Sequence, residues 1–280
     1  MIHRKWIAFA AVTLLLTACT DQNTATSDEK EPAEEQAVSK EEQETEEVKK
    51  EEAAKEEAEA EEKPEEVAAA DPQYRINSAN WSAQPITDAS EKVVLVTIDD
   101  APDKHAMEMA ETLKSQNVPA IFFVNGHFLD TDEEKQQLKK IHEMGFAIGN
   151  HTNSHPNLRD LTEEQQTDEI LQLNETIEQI IGEKPKFFRA PHGANTDFSK
   201  QLVQDQGMVL MNWTYGYDWE QQYQNAQSLT NIMINTEFLN NGANLLMHDR
   251  EWTSEALPDI IQGLKDKGYG FVDPEAIEGI

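Results

Sequence analysis

Val93-Val94-Leu95-Val96-Thr97-Ile98-Asp99-Asp100 is the segment on which the fold turns. The unbroken apolar run from Val93 to Ile98 is what a strand buried on both faces requires, and such strands belong to parallel sheets covered by helices. Two carboxylates follow it directly. Downstream, helix and strand patterns alternate. A helix is expected over 104–116 with Ala106, Met109, Ala110 and Leu113 on one stripe, then a buried strand from Pro119 through Val124. Helix 133–144, with Gly145 as its cap, precedes a short strand at 146–148. A long helix over 162–181, stopped by Gly182, leads to a strand at Phe187-Phe188. Helix 197–206, strand 208–213, helix 228–239, strand 244–247, helix 254–267 and a last strand at 270–272, closing the sheet, complete the series.

Strand followed by helix about seven times over predicts an α/β fold with a parallel sheet. A barrel places its chemistry at the C-terminal ends of the strands, and an open doubly wound sheet does the same. No glycine-rich phosphate loop follows the first strand, which leaves a nucleotide-binding fold with little support. The polar residues that could do chemistry, Asp99, His151, Arg189 and His248, all come directly after apolar runs.

Four short pieces carry that chemistry: Thr97-Ile98-Asp99-Asp100, His151-Thr152-Asn153-Ser154-His155, Arg189-Ala190-Pro191-His192-Gly193 and Leu246-Met247-His248. Two histidines four apart can face one point from a helical turn or tight loop, and a carboxylate is the natural third ligand for zinc. Three protein ligands leave a position open for water and substrate. The paired aspartates can give one carboxylate to the metal and the other to proton transfer, a division that metal-assisted hydrolysis uses. His105, His127 and His142 lie outside these pieces and read as structural or surface residues.

These pieces resemble the motifs of the polysaccharide deacetylases of carbohydrate esterase family 4, the NodB-homology group, over roughly Glu91 to Val272. Asp218-Trp219 matches the Asp-Trp that ends the family's fourth motif. The resemblance implies a distorted (β/α) barrel of about seven parallel strands. It implies Asp100, His151 and His155 as ligands of a divalent metal, most naturally Zn²⁺ but also Co²⁺ or another ion. It implies Asp99 as general base held by Arg189, and His248 as the acid oriented by Asp218. A backbone amide near His192 would help to hold the oxyanion, and Leu246 and Trp219 would wall a pocket for the acetyl methyl. Plainer roles stay open: Arg189 also suits a structural ion pair, Asp-Trp is a common pair, and Leu246 and Trp219 suit plain core. Ile98, Ala101, His192 and Tyr215 depart from the family's usual aromatic, glycine, tyrosine and aspartate. With Ala101 in place of glycine, the backbone after Asp100 must avoid φ > 0 or take up strain.

The chain has 280 residues and a formal net charge of −31. Arg4 and Lys5 precede an apolar run from Trp6 to Leu16, too short to span a bilayer, which reads as a secretory signal over residues 1–18. Leu16-Thr17-Ala18-Cys19 resembles a bacterial lipobox, and Cys19, the one cysteine, can form no intrachain disulfide. Acylation there would anchor the protein stably. Residues 28–66 carry 19 acidic residues and 6 lysines, a composition that cannot offset the entropy of ordering. An acidic, disordered stalk over 19–71 is therefore expected, partly helical at 51–62, followed by one folded domain over 72–280. That domain has 33 acidic and 15 basic residues, which argues against nucleic acid as a partner.

Together these readings predict an extracytoplasmic enzyme, lipid-anchored on the outer face of the membrane, that hydrolyses N-acetyl groups on cell-wall amino sugars of the peptidoglycan type, GlcNAc or MurNAc. Deacetylation of an exopolysaccharide or chitooligosaccharide is the alternative substrate reading. A wall-binding lipoprotein that keeps the fold without catalysis is the alternative of another class.

Overall fold

A computed structural model of the chain describes residues 71–280. The expected signal sequence, Cys19 and all but the last residue of the expected stalk lie outside these residues. The described part begins with a short antiparallel hairpin, β1 (Tyr74–Ile76) and β2 (Ala83–Pro85). The sequence reading did not foresee it, because its three-residue strands carry no alternating apolar run. The main sheet follows with β3 (Val93–Ala101), α1 (Ala106–Ser115), β4 (Ile121–Val124), α2 (Asp132–Glu143), β5 (Ala147–Asn150), α3 (Glu163–Ile181), β6 (Phe187–Phe188), α4 (Asp197–Asp205), β7 (Val209–Leu210), α5 (Ala226–Asn235), β8 (Ala243–His248), α6 (Glu251–Asp266) and β9 (Gly270–Phe271). All pairings in this seven-stranded sheet are parallel, in the order β7-β6-β5-β4-β3-β8. The sheet curls into a half-barrel with helical cover. Among the described residues, no helix is long and apolar enough to cross a membrane.

Side-chain alternation along β3 sorts the core. Val94, Val96 and Ile98 pack with Met109, Leu113, Ile141 and Ile260 in the layer between sheet and helices. Val93 and Leu95 point the other way, into the barrel interior, with Ile121, Phe123, Phe187 and Met211. Burial of each large apolar side chain is worth roughly 1.5–3 kcal/mol, so both layers hold the sheet. The same period of two puts Thr97 and Asp99 on the interior side, above Leu95. Asp99 is thereby aimed at the barrel mouth by the sequence pattern of the strand itself.

Two expectations about the strands are corrected. Residues 208–213 do not form one strand: only Val209 and Leu210 pair. The carbonyl of Asn212 instead accepts hydrogen bonds from the side chains of Arg189 and Asn244. The chain then returns to the sheet at Thr214-Tyr215, where the Tyr215–Leu245 bridge lies on β8. The last strand also does not close the sheet at its far edge. Val93 O accepts from Gly242, on the β8 side, whereas Lys92 O and Val94 O accept from Gly270 and Val272. Successive carbonyls point to opposite sides of a strand, so β9 lies on the β4 side, below the point where β4 begins. Most helices run close to expectation, Gly182 ending α3 in the left-handed conformation at φ 86°, but α5 ends at Asn235, four residues early, where Thr236 turns extended at ψ 149°. The last helix starts at Glu251, three residues early.

Candidate active site

Every expected catalytic, metal-site and pocket residue lies near or after the C-terminal end of a strand: Asp99 and Asp100 on β3, His151 and His155 after β5, Arg189 and His192 after β6, Asp218 and Trp219 after β7, and Leu246 and His248 on β8. The structure brings them together around one cleft of about 510 Å³, in which Asp99, Asp100, His151, His155, His192, Asp218, Trp219, Leu246 and His248 line the walls. Arg189 stands behind Asp99 rather than in the cleft.

Asp99 is buried, and its Oδ1 accepts from Arg189 Nη1 at 2.5 Å. The guanidinium also reaches Thr97 Oγ1 and Asn212 O, and its Cζ lies 4.2 Å from the centre of the Phe123 ring. Arg189 is the largest fully buried side chain among the described residues. A buried charge needs this kind of enclosure by partners. Burial raises the pKa of Asp99, and although Arg189 and His248 pull it down, burial prevails. Desolvation is thus a larger influence on this carboxylate than the neighbouring cation.

On the other side of Asp99, the ligand-type atoms of Asp100, His151 and His155 lie within 4.8 Å of one another. His155 Nε2 is 3.5 Å and His151 Nε2 4.0 Å from Asp100 Oδ1. His151 Nδ1 is 2.6 Å from the carbonyl oxygen of Arg189, which can only accept, so Nδ1 carries the proton and Nε2 presents a lone pair. Burial lowers the pKa of His151 to about 3 and also lowers that of His155. Both imidazoles are then neutral at working pH, as a metal ligand must be. The donor set fits a divalent cation: two neutral imidazole nitrogens and one carboxylate oxygen facing a common point. His105 and His142 instead pair with Glu108 and Glu183, and His127 lies on Phe128.

Local backbone geometry makes this convergence possible. By strict alternation Asp100 would point away from Asp99 toward the helices, but it adopts φ 61°, and the β3–β4 register shifts between Ile98 and Ala101. The positive φ thus falls on Asp100 and not on Ala101, which explains how an alanine is tolerated there. Thr152 and His155 also have positive φ, at 72° and 59°. Their loop is held by Asn125 Nδ2 on the carbonyls of His151 and Thr152, by Asn150 Oδ1 on Thr152 N–H, and by Glu169 on Ser154.

Across the cleft, His248 pairs in register with Asp99 on neighbouring strands. Its Nδ1 is 2.7 Å from Asp218 Oδ1, and its backbone N–H donates to Asp218 Oδ2 at 2.6 Å. Thr253 also donates to Asp218, which is fully buried. Nδ1 therefore holds a proton and Nε2 is left for the cleft. Burial acts to lower the His248 pKa, but the charge and hydrogen bond of Asp218, with Asp99 and Asp100, outweigh it and the net shift is upward. Trp219 stands edge-on to His248 and Trp213, and Leu246 is buried beneath them. The His192 ring meets that of His155 at 5.0 Å. Tyr215 is core: its hydroxyl donates to Met233 O and burial raises its pKa beyond the ordinary range.

This arrangement agrees with the known proteins that the chain resembles. Polysaccharide deacetylase, as a family, matches residues 87–211. The peptidoglycan-N-acetylglucosamine deacetylase of Bacillus cereus is 31% identical over 64% of this chain and 66% of its own length, just under two thirds. The peptidoglycan-N-acetylmuramic acid deacetylase PdaA of Bacillus subtilis is 30% identical over 65% of this chain and 69% of its own. The chain belongs to the polysaccharide deacetylase family. Membership does not guarantee catalysis: a crystal structure of wild-type BA3943 from Bacillus anthracis, described as a CE4 family pseudoenzyme, is similar at 29% identity with a TM-score of 0.59, covering 65% of this chain and 64% of that one.

Sequence reasoning about this polysaccharide deacetylase missed five residues of the site. Trp213, Gln224 and Trp252 line the cleft without lying in a motif, and Trp252 Nε1 donates to Asp218 O. Asp249 is buried, and its carboxylate accepts the backbone N–H groups of Asp103, Lys104, His105 and Ala106, capping α1 and tying down the loop after Asp100. Arg250 donates to Asp100 Oδ2 at 2.7 Å. The signal for the last two was their place directly after His248.

Proposed function

We propose that this protein is a metal-dependent N-deacetylase that releases acetate from amino sugars of cell-wall polysaccharide. The observation that carries this reading is the pairing of a buried Asp99, beside a three-donor cation site, with His248 in register on the next strand. Asp100, His151 and His155 would hold the cation, with Zn²⁺ the natural choice for two imidazoles and a carboxylate. A cation there would polarise the acetyl carbonyl and make a water molecule acidic enough to attack at neutral pH.

Asp99 takes the proton from the attacking water; its raised pKa suits a base that must work near neutrality. Arg189 holds that carboxylate in one orientation. The C–N bond of the amide breaks as His248 Nε2 gives its proton to the leaving nitrogen, yielding acetate and a free amine. Asp218 fixes the Nδ1–H tautomer and stabilises the imidazolium before transfer. A backbone amide near His192 would donate to the developing oxyanion. Leu246 and Trp219 would cover the acetyl methyl.

The substrate class rests on the two Bacillus relatives, one named for N-acetylglucosamine and the other for N-acetylmuramic acid of peptidoglycan. Export and acylation at Cys19 rest on Arg4, Lys5, the apolar run and Leu16-Thr17-Ala18-Cys19, with residues 19–71 as spacer to the wall. Cys19→Ala protein should lose acylation and either stay uncleaved or pass into the medium. Retention of correctly processed Cys19→Ala protein in membranes would refute the anchor.

Catalysis is tested by acetate release from peptidoglycan, chitooligosaccharide and poly-N-acetylglucosamine, with and without chelation. Chelator-sensitive release from peptidoglycan, lost in Asp99→Asn and His248→Ala, is the expected result. Binding to cell wall without acetate release from any of the three would favour the non-catalytic alternative.

A further inference from the structure

The outer oxygen of Asp100 is taken. While Oδ1 faces His151 and His155, Oδ2 accepts from Arg250 Nη2 at 2.7 Å. Arg250 is itself fixed at the far end: its Nη1 donates to Asp249 O, and Asp103 lies 3.8 Å from it. Asp249 in turn gathers the four amides of residues 103–106, and its own N–H donates to Asp99 O. The tripeptide His248-Asp249-Arg250 therefore supplies the proposed acid, ties down the loop after β3 and holds the proposed carboxylate ligand in succession.

From this geometry we propose that Arg250 is a positioning residue for cation binding, holding Asp100 Oδ2 so that Oδ1 alone faces the two imidazoles. The inference rests on the cation site proposed above. Two consequences of Arg250 oppose one another. Its positive charge disfavours a nearby cation, while its hydrogen bond orients a ligand whose backbone sits at φ 61°. The Arg250 side chain is 36% exposed, so solvent screens its charge. Screening does not affect the orientation it imposes through a direct hydrogen bond. Orientation therefore dominates, and losing Arg250 weakens binding. Groups that orient metal ligands in this way typically contribute about 10–100-fold in affinity. The guanidinium of Arg250 is already engaged by Asp100 and Asp103 rather than held open for an anionic part of the substrate.

The test is Co²⁺ binding to the full-length protein, followed through its visible absorption. Arg250→Met should weaken Co²⁺ affinity about tenfold or more and alter the ligand-field bands of the loaded protein, because Oδ2 becomes free to reorient. Arg250→Lys, which keeps a donor, should recover part of the affinity. Thermal melts of the metal-free proteins show whether each variant is folded, and Arg250→Gln replaces Arg250→Met if the latter is not. Equal or tighter binding by Arg250→Met, with unchanged bands, overturns the role of Arg250 and leaves the cation site standing. A parent protein that binds no Co²⁺, or a His151→Ala variant that binds it as the parent does, overturns the cation site and this inference with it.

Discussion

Asp218→Asn separates the proposed acid from the groups that set its proton. Asp218 meets His248 twice, at Nδ1 and at the backbone N–H, and is fully buried, so no water can replace it. Loss of a hydrogen bond to a charged group costs about 1.5–3 kcal/mol, or roughly 10- to 150-fold in rate where it acts on the imidazolium. Asparagine brings a second effect. Its single oxygen satisfies either Nδ1–H or the backbone N–H, and placing the amide NH₂ against Nδ1 forces the wrong tautomer. Together these effects should lower kcat by about 10²–10⁴-fold while metal content stays at the parent level.

The pH profile carries the sign. His248 must be protonated to act, and Asp218 is the largest influence raising its pKa against burial. Activity should fall as pH rises through that pKa, and the alkaline limb should move to lower pH in Asp218→Asn. The assay is initial-rate acetate release from pH 5 to 10. An unchanged kcat together with an unmoved alkaline limb would refute the assignment of His248 and Asp218.

Further outcomes can be measured on the same preparation. Arg189→Met leaves Asp99 buried without its cation and should destabilise the fold by about 3–5 kcal/mol, read by denaturant unfolding. A loss under about 1 kcal/mol would mean that Asp99 finds another partner or is neutral in the fold. Asp249→Ala strips four backbone amides of their acceptor and should lower Tm by roughly 6–12 °C, taking about 3 kcal/mol as the loss. An unchanged Tm would show that the loop after β3 does not depend on it. Gly216→Ala places a methyl against the carbonyl of Leu246 and 2.8 Å from the Trp219 ring. It should reduce kcat/KM at unchanged metal affinity, and parent-like kinetics would remove Leu246 and Trp219 from the substrate pocket.

Much of the site was legible because strand ends carry it. The apolar run ending in Asp99-Asp100, the His151 and His155 spacing, and the polar residues directly after β6 and within β8 follow from buried parallel strands with open C-terminal ends. What was hidden depends on backbone conformation and distant partners. The positive φ at Asp100, which turns its side chain toward His151 and His155, leaves no mark in a residue pattern; of the two alternatives open for Ala101, avoidance of φ > 0 is the one realised. The interruption after Leu210 was invisible because the Asn212 carbonyl is satisfied by Arg189 and Asn244, both distant in sequence. The position of β9 depends on which side of β3 its carbonyls face, and periodicity cannot report that. Asp249 and Arg250 act on residues about 150 positions away, so their partners emerge only once β3 and β8 lie side by side.

Metal-dependent deacetylation is read from the ratio of acetate released to free amines formed when metal-loaded protein acts on purified peptidoglycan. A ratio of one, abolished by chelation and restored by Zn²⁺ or Co²⁺, is expected. No release from any N-acetylated glycan, or release that continues undiminished after the metal has been removed, would contradict the proposed activity.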